Sequence, residues 1–140
     1  IQAHGYGVVW LEQTEDAGGI GWRRHWIVGA KPEDTPHQNV FTQPHALALG
    51  DINGDGLPDL VTGKRFWAHG PKGGDPGSND PAVLYWFELS RRENGAQFIP
   101  HLIDSDSGVG TQVTVSPLTK GGKAGIIVGN KKGAFVFEQQ

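Results

Sequence analysis

Residues 51–59 carry oxygen ligands at a density that suits a hard metal cation. Three carboxylates and one amide stand at positions 1, 3, 5 and 9 of this loop, and glycines stand at positions 4 and 6. The odd spacing turns the oxygens toward one centre, and the glycines allow the sharp turn that wrapping a cation requires. The predicted ligands are the side chains of Asp51, Asn53, Asp55 and Asp59 and the backbone carbonyl of Leu57.

Two other interpretations of this loop compete with a metal site. A solvated acidic turn would show a similar composition. An EF-hand requires a bidentate Glu at position 12, but that position is Thr62, and the flanking segments have the pattern of strands rather than helices. With no Glu at that position, we expect Asp59 to be the bidentate ligand.

The elements that must position this loop are short strands. Apolar runs alternate with clusters of Gly, Pro, Asn and Asp, and the chain contains 22 Gly and 9 Pro without a sustained 3.6-residue apolar period. An Asn94-Gly95 hairpin turn is predicted between the fifth and sixth strands. The predicted strands are 7–13, 22–28, 45–50, 60–63, 82–90, 97–103, 111–115, 125–128 and 134–138.

Internal repeats indicate how these strands are grouped. Residues 4–30 align without gaps on 80–106, and residues 112–115 and 125–129 align on 46–49 and 59–63. If the strands of one unit are named A to D, the chain is ordered C-D, A-B-C-D, A-B-C. Units that cannot bury both faces alone must stack on their neighbours, which predicts an all-β fold, a β-propeller fragment of antiparallel four-stranded blades.

The repeats also give the expected domain organisation, a single propeller segment over residues 1–140. We expect a partial blade (strands C-D) over 1–30, a complete blade with the metal loop over 45–104, and a partial blade (strands A-B-C) over 110–140. Nine strands are too few for a closed ring, so further blades or self-association are needed to cover the open edges. Because the chain begins at Ile1 rather than Met, we interpret it as a processed or excised piece.

Residues 47–61, Leu-Ala-Leu-Gly-Asp-Ile-Asn-Gly-Asp-Gly-Leu-Pro-Asp-Leu-Val, resemble the FG-GAP (VCBS-type) repeat of integrin α-subunit propellers and of many bacterial secreted proteins. Residues 62–70 and 83–88 resemble secreted repeat proteins of planctomycete-type bacteria. The resemblance implies Ca²⁺ bound in the A–B hairpin loop by the ligands named above. It also implies an extracellular or periplasmic location and a role in binding or adhesion more often than in catalysis.

The third unit departs from this pattern. In its register the four ligand side chains become Pro117, Thr119, Gly121 and Gly125, so every carboxylate is replaced. We expect no calcium there and a hairpin that survives as a plain turn.

A second candidate site lies on the B–C and D–A connections, at the end of the blades opposite the calcium loop. Aromatic, cationic and acidic groups there suit a glycan or protein ligand. The alternative is that these groups only close and solvate a long loop, with Phe66 and Trp67 as packing anchors. The candidate contacts are His45, Lys64, Arg65, Trp67, His69, Asp104 and Asp106, with Asp75 on the same loop.

The remaining tryptophan and histidine side chains are predicted to have structural roles. His25 and His101 occupy equivalent D-strand positions and are interpreted as polar residues at blade edges. Trp10, Trp22, Trp26 and Trp86 are predicted to pack between blades.

Composition and motifs narrow the function classes. A net charge of −3 does not favour a nucleic-acid partner, no apolar run is long enough to span a membrane, and there is no Cys for disulfides or thiolate ligands. No nucleophile elbow, zinc-protease motif or phosphate loop is present, so we predict a binding scaffold and not an enzyme. The alternative is a propeller portion of an extracellular carbohydrate-active enzyme with its chemistry on residues 64–82 and 104–110.

Overall fold

The chain folds into antiparallel β-strands joined by turns and two longer connections. The computed structural model describes residues 1–93 and 95–139, so Asn94 of the predicted Asn-Gly turn and Gln140 lie outside the described residues. A single 3₁₀ turn, Pro32–Asp34, lies in the connection after the second strand. The strands are β1 (Val8–Asp16), β2 (Gly19–Val28), β3 (Pro44–Gly50), β4 (Asp59–Lys64), β5 (Leu84–Arg92), β6 (Gly95–Asp104), β7 (Val113–Pro117), β8 (Ala124–Asn130) and β9 (Gly133–Phe137).

The strands form three sheets in chain order. The first contains β1-β2, the second β3-β4-β5-β6 and the third β7-β8-β9, and all neighbours pair antiparallel. This is the predicted order C-D, A-B-C-D, A-B-C, so the fold class is confirmed. The described strands do not close a ring. The assignment of blades to 1–30, 45–104 and 110–140 stays a prediction.

Several strands end at residues that the sequence pattern did not predict. β1 and β2 continue to a tight turn, with Thr14 opposite Gly21 and Asp16 opposite Gly19. Cross-strand pairing satisfies the backbone there, so polar residues of low strand propensity still extend the ladder. Conversely, β7 begins at Val113 and not at residue 111.

A constellation of Trp, His and Glu recurs in the first two sheets and supports the 76-residue repeat. The rings of Trp10 and His25 stack with centroids 4.3 Å apart, and His25 Nε2 lies 2.8 Å from a carboxylate oxygen of Glu12. Trp86 and His101 stack at the same 4.3 Å, and His101 Nε2 lies 2.9 Å from Glu88. Both histidines therefore have structural partners on the neighbouring strand.

The second sheet is covered on both faces, which places the core between sheets. Its Leu60 and Phe87 pack with Val8, Ile27, Val28 and Phe41 on the side of the first sheet. Its Val61 and Leu84 pack with Val113, Ile126 and Val128 on the side of the third sheet. Because Leu60 and Val61 are consecutive, the two-residue period of a strand sends their side chains to opposite faces.

The tryptophans differ in how much of each side chain is buried. Trp10 and Trp86 are half-buried against histidine rings. Trp22 is 63% exposed, so its predicted packing between blades is wrong for this structure. Trp22 lies on β2, which has a neighbouring strand on one side and no further described sheet over its outer face.

Candidate metal and ligand-binding sites

The predicted calcium loop connects β3 to β4 and is wound around the carboxylate of Asp51. One oxygen of Asp51 accepts hydrogen bonds from the N–H groups of Gly54 (2.7 Å) and Asp55 (3.1 Å), and the other accepts one from Gly56 (2.9 Å). Gly54 and Gly56 have φ values of +82° and +83°. These angles are costly for residues with a Cβ, which explains the two glycines of the motif.

The middle of the loop is closed by its second and third predicted ligands. The Asn53 amide oxygen accepts a hydrogen bond from Asp55 N–H at 3.0 Å, and its amide nitrogen donates to the Asp55 carboxylate at 3.0 Å. Leu57 N–H donates to the other Asp55 oxygen at 2.8 Å. An ionised carboxylate has about four acceptor positions, so these oxygens retain capacity for a cation. The exposed, oxygen-only donor set therefore fits calcium.

Asp59 has a different environment from the other loop acids. It is fully buried, and its two carboxylate oxygens accept hydrogen bonds from the N–H groups of Ile52 (3.0 Å) and Leu89 (2.8 Å). Burial raises the pKa of Asp59, against the opposing effect of these two hydrogen bonds. Asp59 thus connects the start of the loop to β5, and its predicted bidentate metal contact stays a prediction.

The equivalent hairpin of the third sheet is present without the acidic ligands. β7 and β8 pair from Val113 opposite Val128 to Pro117 opposite Ala124, and Gly122 N–H donates to Thr119 C=O at 3.0 Å. A cleft of about 550 Å³ separates this hairpin from the calcium loop. A Cβ added at Gly50 would overlap Val115, so the two hairpins approach closely at the base of the cleft.

Lys64 lies at the far end of β4 from the calcium loop, beneath the surface of the second candidate site. Its side chain is fully buried, and its ammonium group donates to the carbonyls of Ser78 (3.3 Å) and Arg65 (3.4 Å). Burial lowers the pKa of Lys64, and the charge of Asp80 partly opposes that effect. The structure thus places Lys64 as a support of the loop over residues 65–83.

His69 lies above this support in a cluster with three other ionisable residues. Its Nδ1 is 2.9 Å from one carboxylate oxygen of Asp75, and Nδ1 of His4 is 3.5 Å from the other. The rings of His4 and His69 stack at 4.7 Å, and His45 meets the ring of His4 edge-on at 5.9 Å. Of the described residues, His4, His69 and Asp75 form the group of three imidazole or carboxylate ligands whose donor atoms lie within 4.8 Å of one another.

Electrostatics in this cluster follow from burial and charge. Desolvation raises the pKa of Asp75, but hydrogen bonds and charges of His69 and His4 outweigh it, so the net pKa is lowered. The pKa of His45 is lowered by burial first and then by the positive charges of Arg65 and His4. The cluster therefore favours the ionised form of Asp75 and the neutral form of His45.

The other residues predicted to contact a ligand form hydrogen bonds, ion pairs and ring contacts with neighbouring loop residues. Trp67 stacks on Phe66 at 4.3 Å and donates its indole N–H to Asn79 at 3.3 Å. The Asp104 carboxylate accepts hydrogen bonds from the N–H groups of Asp106 (2.8 Å) and Ser107 (2.6 Å), which lower its pKa, and Asp106 forms an ion pair with Lys132. The predicted residues therefore separate into a histidine cluster and a capped turn.

Sequence reasoning missed His4. It lies before β1, far along the chain from the loop that carries His69. The 76-residue register aligns His4 with Asp80, at the end of the long B–C loop, but it does not pair His4 with His69 or Asp75.

Comparison with known proteins gives a match over the segment that contains the acidic loop of residues 51–59. The described residues include no helix that is long and apolar enough to cross a membrane. No curated protein and no solved structure matches the chain significantly. The family model of the FG-GAP repeat matches residues 44–78, from the first residue of β3 through β4 and into the following loop. Residues 44–78 of this chain are therefore similar to the FG-GAP repeat.

Proposed function

We propose that the chain is a calcium-stabilised β-propeller module that acts as a binding or adhesion scaffold in an exported protein. The FG-GAP repeat at residues 44–78 favours a β-propeller-type binding module, and such repeats are typical of extracellular proteins. Calcium is the proposed cofactor, held by Asp51, Asn53 and Asp55, with Leu57 and Asp59 completing the set.

The arrangement around Asp51 is the observation that carries the calcium proposal. Three backbone N–H groups converge on its carboxylate, so the loop is already wound in the shape that oxygen ligands need. Asn53 and Asp55 add further oxygens on the same exposed turn. A bound cation would offset the mutual repulsion of the loop carboxylates and lock the β3-β4 hairpin.

The contacts at the opposite end favour binding over catalysis. A glycosidase needs two free carboxyl groups flanking the substrate bond. Asp104 instead accepts two backbone hydrogen bonds and Asp106 pairs with Lys132. We therefore assign to the loop of residues 65–83 the recognition of a glycan or protein ligand, and not hydrolysis.

Calcium-dependent stability tests the cation site. A site of this modest charge suits a dissociation constant of roughly 10⁻⁴–10⁻³ M, as in extracellular modules. At free calcium about tenfold above that constant, binding adds about 1.4 kcal/mol to the free energy of unfolding. The thermal midpoint, measured in calcium and in EDTA, should rise by roughly 5 °C. Asp51→Asn and Asp55→Asn should each abolish that rise.

Asp16→Asn is the matched control. Asp16 is also an exposed turn carboxylate, and it accepts one backbone hydrogen bond from Gly18 at 2.9 Å. The control should keep the full calcium response. An identical thermal midpoint in calcium and in EDTA for the unmodified chain would overturn the calcium site.

A further inference from the structure

Two segments that are distant in sequence bring three metal-binding side chains together at the end of the molecule opposite the calcium loop. His4 lies in the segment before β1, and His69 and Asp75 lie in the connection between β4 and β5. Both imidazole Nδ1 atoms face the Asp75 carboxylate, at 2.9 Å from His69 and 3.5 Å from His4. Ligands at about 2.1 Å from a tetrahedral zinc ion are about 3.4 Å from each other. The donor atoms are thus already close to the spacing that a bound ion requires.

A buried glutamine holds the two segments in this arrangement. Gln43 is fully buried, and its N–H donates to Gly5 C=O at 2.7 Å. Its side-chain oxygen accepts from Ala68 N–H at 3.1 Å, and its side-chain nitrogen donates to Pro76 C=O at 3.3 Å. Gly5, Ala68 and Pro76 are the chain neighbours of His4, His69 and Asp75.

The backbone of Gln43 is also strained. Gln43 has a φ of +54°, a conformation that is unfavourable for a residue with a side chain. Trp67, beside Ala68, has a φ of +52°. Strained residues persist where the surrounding structure determines them, and they concentrate at ligand sites.

A neighbouring histidine adds a buried polar atom beside this cluster. The Nδ1 atom of His45 is buried and has no hydrogen-bond partner among residues 1–93 and 95–139. The His45 ring meets the His4 ring edge-on at a centroid distance of 5.9 Å. A buried polar atom without a partner destabilises the fold unless a ligand or water satisfies it.

We propose that His4, His69 and Asp75 bind a divalent transition-metal ion of the zinc class, at a site separate from the calcium loop, with His45 beside it. Two imidazoles and one carboxylate suit zinc and its first-row neighbours, whereas calcium prefers oxygen ligands alone. The side chains of His4 and His69 are 47% and 59% exposed, so an ion can enter from solvent. Three protein ligands leave at least one position for water or for a donor group of the recognised partner.

Zinc titration of the full chain in the presence of calcium tests the site. Calorimetry on the untagged protein should show one zinc ion bound per chain. His4→Ala and His69→Ala should each weaken zinc binding by more than about tenfold. Absence of zinc binding by the unmodified chain, or binding unchanged in both variants, would overturn the proposal.

Two controls separate this site from surface imidazoles and from the calcium loop. His37 is an exposed histidine in the connection between β2 and β3, and His37→Ala should leave zinc binding unchanged. Asp51→Asn should abolish the calcium response and leave zinc binding intact. An equal loss of zinc binding in His37→Ala would show non-specific binding and contradict the proposal. Circular dichroism of each variant confirms that it is folded.

Discussion

At the scale of single residues, the same residue type has different roles according to its burial. Asp51 and Asp59 stand at the two ends of one loop, but Asp51 is exposed and Asp59 is fully buried. Asp51 organises the turn through three backbone N–H groups, whereas Asp59 joins the loop to β5 through Leu89. The sequence motif predicts that both residues are metal ligands. Only their burial and hydrogen-bond partners show that Asp51 organises the turn and that Asp59 joins the loop to a strand.

Lys64 gives a pH-dependent prediction at this scale. Burial lowers the pKa of Lys64 from its ordinary value of 10.5, so the folded chain binds this proton less tightly than the unfolded chain. Between the lowered pKa and 10.5 the unfolded state carries more protons, so this residue makes stability rise with pH in that window. Lys64→Met should remove that rise, as measured by urea unfolding over a pH series.

Lys72→Met is the control for the Lys64 prediction. Lys72 is exposed on the same connection between β4 and β5. Its replacement should leave the pH dependence of stability unchanged. If Lys64→Met and the unmodified chain showed the same slope with pH, the assignment of that slope to Lys64 would be wrong.

At the scale of elements, the long connection between β4 and β5 is held by contacts from several directions. Lys64 supports it from below, and Gln43 joins it to the segment before β1. On the other side, Lys131 donates to the carbonyls of Trp67 and Ala68, and the ammonium group of Lys132 lies 4.9 Å from the centre of the Phe66 ring. Residues 65–83 therefore form an ordered surface that the sheets position.

Gln43→Ala tests how far this connection depends on one buried side chain. The substitution removes the hydrogen bonds to Ala68 and Pro76 and leaves a space where the fully buried Gln43 side chain was. We expect a loss of roughly 1–3 kcal/mol in the free energy of unfolding. Limited proteolysis should also cut residues 65–83 faster than in the unmodified chain.

Gln38→Ala is a closely matched control. Gln38 has the same residue type and the same φ of +54°, but it is exposed. Both substitutions therefore change backbone strain equally, and their difference isolates the side-chain contacts. Equal effects of the two substitutions on stability and proteolysis would contradict the role assigned to Gln43.

At the scale of the whole molecule, stability comes from sheets that pack on one another. Phe87 is fully buried between the first and second sheets, and Val61 is fully buried between the second and third. Each sheet therefore depends on its neighbour for a buried face, as expected for stacked repeats. The outer faces of the first and third sheets keep exposed apolar side chains, among them Leu11 (55%) and Val136 (61%).

Phe87→Ala should destabilise the molecule by about 3–5 kcal/mol, because it removes a large ring and leaves a cavity between two sheets. Denaturant unfolding followed by far-UV and near-UV circular dichroism measures the effect. Val136→Ala is the control, since Val136 is 61% exposed and its loss should change stability by no more than about 0.5 kcal/mol. A small effect of Phe87→Ala would show that the sheets fold independently.

The sequence by itself determined the strands, their grouping into three sheets and the FG-GAP segment. These features are local or periodic: strands show in short apolar runs, sheets in repeats, and the acidic loop in a spacing set by nine consecutive residues. The 76-residue register placed His25 and His101 at equivalent positions, and the structure shows both in the same Trp–His–Glu arrangement.

Only the tertiary structure decided which loops meet and which polar residues are buried. Nothing periodic relates His4 to His69 and Asp75, because their approach depends on Gln43 and on the stacking of separate sheets. The sequence also predicts both Lys64 and His69 as ligand contacts. In the structure Lys64 is fully buried, whereas His69 is exposed. Contacts between distant segments depend on the packing of the whole chain, and so the second site emerged only from the folded molecule.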